Sequence, residues 1–141
     1  MSQDFLSRMN GRFRGMLYWP ELDALWAKVR ANPEGWYVSL AGLEPLQETM
    51  TATALHTFVS EVDALLRREH DYDYCGIVFA DDPEQPTLIK IHDPNRLGSS
   101  CGSSKSRTPP RWVLSRIPPA LIVDEMPLPE SRRRWWQKIF G

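Results

Sequence analysis

A cysteine among small residues is the first feature of the sequence that could do chemistry. Cys101 lies in a stretch of glycines and serines that ends at Lys105, and His92 precedes it by nine positions. An imidazole base and a nearby cation both favour the thiolate, which is the nucleophilic form of cysteine. The pair therefore allows one enzymatic interpretation, in which Cys101 is the nucleophile, His92 is the base and the substrate is an anion.

Two other loop chemistries do not fit the same stretch. Gly98–Gly102 matches G-x-S-x-G, but that motif requires a strand directly before it and a helix directly after it. Pro94 interrupts the approach, and Pro109 and Pro110 oppose a following helix. A Walker A loop needs four residues between its first glycine and its Gly-Lys pair, whereas only two serines separate Gly102 from Lys105. The sequence predicts neither a nucleophile elbow nor a nucleotide-binding loop.

The cysteines and histidines do not indicate a metal site. Cys75, His92 and Cys101 are one ligand short of a tetrahedral set, and no C-x-x-C spacing supports them. Two cysteines are also too few for a disulfide scaffold. We therefore predict no metal and no cofactor. The favoured interpretation makes Cys75 a small core residue of a strand and Cys101 a loop thiol.

The charge distribution is more informative than the net charge of -1. Residues 94–123 contain no acid, whereas residues 61–84 contain eight acids and two arginines. A cluster of one sign creates a field that attracts a partner of the other sign. This favours an acidic protein partner, and the alternative is that the two stretches are oppositely charged surfaces of one fold. The basic residues of the first stretch are Arg96, Lys105, Arg107, Arg111 and Arg116.

The C-terminal stretch SRRRWWQKIFG is both basic and aromatic. In a helix its apolar residues share one side and its cations take most of the rest, as in helices that bind a partner groove or a membrane surface. The alternative is a terminal helix that covers the core of its own domain. We expect the tryptophans to pack on the domain and the arginines to contact a partner; at about three turns, the membrane alternative is less favoured. The residues concerned are Arg132, Arg133, Arg134, Trp135 and Trp136.

Hydrophobic periodicity predicts the elements that must position these residues. Apolar positions with helical spacing predict one helix between Pro20 and Pro33, and a longer one from a cap at Thr49 or Thr51 to about His70. Strands are predicted at 36–41, at 111–117 and on both sides of a hairpin within 74–92. If Ala80 faces Thr87 in that hairpin, Cys75 lies opposite His92.

These elements predict an α+β two-layer sandwich. An antiparallel sheet of about four strands carries two main helices on one face, with a short C-terminal helix at 130–141. With 141 residues the chain is predicted to form a single domain. Residues 1–18 are interpreted as a flexible N-terminal arm and residues 94–110 as an exposed Gly/Ser/Pro loop. No motif resembles a known family residue by residue.

Composition limits the classes of function. The nearly neutral net charge gives no global argument for nucleic acid. The N-terminus has no signal-peptide pattern, and no run approaches the roughly 20 apolar residues of a membrane span. We therefore expect a small cytoplasmic binding protein, an adaptor or assembly factor, that contacts an acidic protein through the basic loop and the C-terminal tail.

Overall fold

An antiparallel sheet of five strands lies at the centre of the fold in the computed structural model, which describes residues 2–96, 109–124 and 126–140. The strand order is β1-β3-β4-β5-β2, and every neighbouring pair is antiparallel. The α+β prediction is confirmed, with one strand more than expected. The strands are β1 (Arg14–Gly15), β2 (Tyr37–Leu40), β3 (Val78–Ala80), β4 (Leu88–Ile91) and β5 (Trp112–Ser115).

Four helices accompany the sheet in the described part of the chain: α1 (Ser2–Met9), α2 (Trp19–Ala31), α3 (Ala52–Glu69) and α4 (Glu130–Phe140). Helix α3 begins where its sequence predicted, because the Thr51 hydroxyl accepts a hydrogen bond from the Ala54 amide at 3.1 Å. Helix α2 begins with Pro20 in its first turn, where a missing N–H has no cost. None of these helices is long and apolar enough to cross a membrane.

The main core lies between one face of the sheet and helices α2, α3 and α4. The alternation of side chains along the strands sends Ile89 and Leu114 into this core and their neighbours Leu88 and Val113 to the other face. There a smaller cluster forms around Phe5 of α1. The two main helices lie on one face as predicted, while the sheet is buried on its second face as well.

The N-terminal residues assigned to an arm contribute to that second cluster. Residues 2–9 form α1, whose Phe5 is fully buried. Strand β1 pairs with β3 through Arg14 and Ala80 and through Gly15 and Phe79. The chain from α1 to β1 therefore covers one face and one edge of the sheet.

The predicted register of the β3–β4 hairpin was wrong by two residues. Ala80 pairs with Ile89, so His92 lies opposite Ile77 and its amide donates to the Ile77 carbonyl at 2.9 Å. Cys75 is buried in the main core, whereas the His92 ring meets Phe79 edge-on with centroids 5.6 Å apart. Phe79 and Lys90 pair on the face turned away from that core, so Cys75 and His92 are not cross-strand neighbours.

Candidate functional site

Asp93 lies at the centre of a buried group of charged side chains. Its Oδ2 accepts a hydrogen bond from Arg111 Nε at 2.9 Å and another from Arg132 Nε at 3.0 Å. Arg132 Nη2 donates to Oδ1 at 2.9 Å. The side chains of Asp93, Arg111 and Arg132 are only 3%, 1% and 4% exposed, so these charged hydrogen bonds form away from solvent.

Two further carboxylates complete this group. Glu69, the last residue of α3, accepts hydrogen bonds from Arg132 Nη2 at 2.7 Å and from Arg132 Nη1 at 3.2 Å. Asp124 Oδ2 lies 3.5 Å from Arg111 Nη1. We call Glu69, Asp93, Arg111, Asp124 and Arg132 the ion network. Its bidentate and bridging geometry offsets the cost of taking two guanidinium groups out of water.

The pKa values reflect these contacts. Burial alone would raise the pKa of Asp93, but hydrogen bonds from Arg132, the Asn95 amide and Arg111 outweigh it and lower that pKa. The hydrogen bond from Arg132 is the largest cause that lowers the pKa of Glu69. Both carboxylates are therefore ionised at neutral pH and neutralise the buried arginines.

The sheet explains why the ion network forms at this place. Asp93 follows the end of β4 closely and Arg111 directly precedes β5, and the two strands are antiparallel neighbours in which Ile91 pairs with Trp112. The Arg111 amide also donates to the Ile91 carbonyl at 2.9 Å. The side chains of Asp93 and Arg111 thus meet where the chain leaves the sheet toward residue 97 and returns after residue 108. Arg132, in the first turn of α4, attaches the C-terminal helix at the same place.

The structure separates the arginines that the sequence grouped together. Arg111 and Arg132 are buried in the ion network, where their guanidinium groups bind carboxylates of the same chain. Arg116 lies over the Trp36 ring at 4.4 Å and donates to the carbonyls of Asn32 and Glu34, each at 2.8 Å. These three guanidinium groups are thus engaged within the fold. Their internal partners lie far away in sequence, so residue type alone gave no signal of them.

Arg133 and Arg134 have a different environment. Their side chains are 42% and 75% exposed, and each makes an ion pair with the exposed Glu130 at the limit of contact, 4.0 Å and 3.8 Å. Arg96, whose side chain lies outside the described residues, ends the short 3-10 turn Pro94–Arg96. Lys105, Arg107 and Cys101 also lie outside the described residues.

The aromatic side of α4 packs on the domain. The Trp135 ring lies 5.3 Å from the Trp112 ring and 6.1 Å from the Phe58 ring, measured between centroids. The Trp136 and Phe140 rings contact each other at a tilt of 46° with centroids 4.5 Å apart, and Phe140 also contacts Phe58. These contacts place both tryptophans against the main core, although neither is fully buried.

The surroundings of His92, the base of the enzymatic interpretation, disfavour its protonated form. Burial, together with the nearby positive charge of Lys90, lowers the pKa of His92 to about 4. The imidazole is therefore neutral at pH 7 and a weak base.

Cys75 should be unreactive in the native protein. It is fully buried, and burial raises the pKa of its thiol. In a Cys101→Ser variant, labelling of native protein with a thiol reagent at pH 8 is expected to be at least about 100-fold slower than in urea, because only transient opening exposes the thiol. Labelling of the Cys75→Ser variant then reports Cys101 alone. Rapid native labelling of Cys101→Ser protein would contradict the buried position of Cys75.

An open groove of about 910 Å³ lies near the opposite end of β5. Lys28 and Glu84 form an ion pair of 2.8 Å at its rim, and Trp36 and Arg116 form part of its wall. Two cations, Lys28 and Arg116, and two acids, Glu34 and Glu84, line the groove, so its lining has no net charge that would select a ligand of one sign.

The described residues therefore define an α+β domain in which buried charges fix a C-terminal helix beside the ends of β4 and β5. They contain no group of three His, Cys, Asp or Glu side chains that could hold a metal ion. Comparisons with family models, with curated proteins and with solved structures found no match.

Proposed function

We propose that this protein acts by binding, and that it contacts an acidic protein partner through a basic surface formed by α4 and the adjoining loop. The observation that carries the proposal is the sharing of Asp93 by Arg111, at the end of the loop, and Arg132, in α4. This arrangement attaches α4 beside the residues where the loop leaves the sheet. The two basic stretches then act as one surface.

Arg133 and Arg134 are the described residues that suit this role best. They follow Arg132 directly, so the anchored first turn of α4 positions them. Long ion pairs between exposed groups contribute about 0–1 kcal/mol, so Glu130 competes weakly with a partner for them. Arg96, Lys105 and Arg107 of the loop add to the same positive field by their place in the sequence.

A glutamate-rich peptide provides a defined test. The double variant Arg133→Glu/Arg134→Glu is expected to bind a labelled poly-glutamate 12-mer about tenfold more weakly, equivalent to about 1.4 kcal/mol. The reason is that two attractive charges become repulsive while the anchoring Arg132 stays in place. Fluorescence anisotropy measures the affinity. Binding by the natural chain should weaken toward 1 M salt, where the Debye length is about 3 Å.

A matched control separates a specific surface from net charge. Arg12 and Arg14 are also exposed, and Arg12→Glu/Arg14→Glu changes the net charge by the same amount. This control should bind the 12-mer about as well as the natural chain. Equal weakening by both double variants would contradict the proposed surface. Cys101→Ser should bind normally, and loss of an activity in that variant would instead favour the enzymatic alternative.

A further inference from the structure

An exposed aromatic patch lies on the acidic side of the molecule. We define the patch as Leu17, Tyr18, Tyr72 and Tyr74, whose exposed fractions are 50%, 57%, 57% and 48%. Single exposed apolar residues are ordinary, but a contiguous group of large ones indicates an interaction surface. The ion network and α4 do not include these residues.

Ring contacts join the two tyrosines of the segment 72–75, and a backbone hydrogen bond brings the segment 16–18 beside them. The Tyr72 and Tyr74 rings lie 5.6 Å apart, and the His70 ring contacts both at 4.5 Å and 6.3 Å. The Leu17 carbonyl accepts a hydrogen bond from the Cys75 amide at 2.8 Å, which joins the segment 16–18 to the segment 72–75.

Buried and partly buried side chains beneath the patch hold its backbone in place. His70 is buried, and its Nε2 lies 2.8 Å from the Cys75 carbonyl, which can only accept. Trp19 Nε1 donates to the Tyr72 carbonyl at 2.9 Å, and the guanidinium of Arg67 covers the Trp19 ring at 4.8 Å. A surface that is already ordered loses little conformational entropy on binding.

The charges around the patch determine the kind of partner. Asp71 and Asp73 alternate with the two tyrosines, and both are exposed. Within the described ranges neither carboxylate makes an ion pair, whereas Arg67 is paired with Asp23 at 2.6 Å and with Asp63 at 3.0 Å. Among the described residues, no ion pair therefore compensates the negative charge next to the tyrosines.

We propose that the aromatic patch binds a basic segment of a partner protein, in which Arg or Lys alternates with aliphatic residues. Tyrosine faces attract cations, and Asp71 and Asp73 add direct charge complementarity. The apolar side chains of the segment would lie on Leu17 and Tyr18. Anionic membranes and nucleic acids are disfavoured because the same carboxylates repel them. This surface shares no residue with the proposed basic surface and has the opposite charge.

A labelled decapeptide of alternating Arg and Leu tests the proposal on the full chain. Tyr72→Ser/Tyr74→Ser and Asp71→Asn/Asp73→Asn are each expected to weaken its binding about tenfold, since exposed aromatic anchors and close charges dominate small interfaces. The matched control is Glu44→Gln/Glu48→Gln, which neutralises two exposed acids elsewhere. The control should bind about as well as the natural chain, and binding should weaken at 1 M salt.

Three results would overturn the proposal. One is equal weakening by the control, which would show a nonspecific charge effect. Another is unchanged binding in both patch variants. The third is sedimentation showing that the natural chain self-associates and that only this association is lost in the patch variants; the occupant would then be a second copy. Arg133→Glu/Arg134→Glu should not weaken decapeptide binding. Failure of this proposal can therefore be distinguished from failure of the proposed basic surface.

Discussion

Truncation after Glu130 should lower the free energy of unfolding by several kcal/mol, on the order of 5. The deletion removes Trp135 and Phe140 from their contacts with Phe58 and Trp112 in the main core. It also removes Arg132 and leaves Asp93 with one fewer buried cation. Urea unfolding followed by far-UV circular dichroism measures the change without relying on the deleted tryptophans.

Point variants divide that loss between the two sides of α4. Trp135→Ala should cost about 3 kcal/mol, the low end for large aromatic residues, because Trp135 is only partly buried. Arg133→Ala/Arg134→Ala should change stability by less than about 0.5 kcal/mol, since both side chains lie at the surface. A truncated chain with an unchanged urea midpoint would show that α4 does not stabilise the domain.

Periodicity in the sequence was enough to predict most of the fold. Helices α2 and α3 each have apolar residues at helical spacing, and all of those residues are buried. Strand β1 has only two residues, too few to show alternation, and α1 has only about two turns, in which Phe5 and Met9 lie one turn apart on the side that faces the sheet. Their positions depend on tertiary contacts, such as the burial of Phe5.

The hairpin register depended on a turn that residue types alone did not specify. Asp81 Oδ1 accepts hydrogen bonds from the amides of Thr87 and Leu88 at 3.0 Å and 3.1 Å. The Thr87 amide is thus bound to a side chain, and Ala80 pairs with Ile89. Counting residues from a closing Ala80–Thr87 pair could not include this competition between side chain and backbone.

The ion network could not be predicted for a related reason. Arg132 is 39 positions from Asp93 and 63 from Glu69 in the sequence. A buried arginine that pairs within its own fold and an exposed one have the same side chain, so only the tertiary structure distinguishes Arg132 from Arg133. Asp93 and Arg111 lie next to the neighbouring strands β4 and β5, but that proximity depends on the pairing of the strands and not on residue type.

Asp93→Ala should be among the most destabilising single substitutions outside the apolar core, at about 3–5 kcal/mol. The carboxylate accepts three hydrogen bonds from two guanidinium groups that are almost fully buried. Without it, Arg111 keeps only the longer contact with Asp124, and Arg132 keeps Glu69 but loses two hydrogen bonds. The control Asp71→Ala, at an exposed position that makes no ion pair with another described residue, should stay within about 0.5 kcal/mol.

A double-mutant cycle tests whether this loss comes from uncompensated charge. If it does, Asp93→Ala combined with Arg132→Met should cost less than the sum of the two single variants, because the second substitution removes a cation that the first has left without its partner. Urea unfolding at pH 7 gives the four free energies. Additive losses would show that Asp93 and Arg132 are not energetically coupled.

The same carboxylate gives the stability of the natural chain a definite dependence on pH. Because folding lowers the pKa of Asp93, the folded state favours the ionised form and gains stability from it above the unfolded-state pKa of about 3.9.

The stability advantage of the natural chain over Asp93→Ala should therefore be constant from pH 7 to about pH 5. Below about pH 4 it should shrink as the unfolded state takes up the proton first, and it should disappear only once the pH falls below the pKa in the folded state. Glu69, whose pKa is lowered in the same direction, adds to the loss in acid of the natural chain. An advantage that grew as the pH fell from 5 to 3 would contradict an ionised Asp93 between the two arginines.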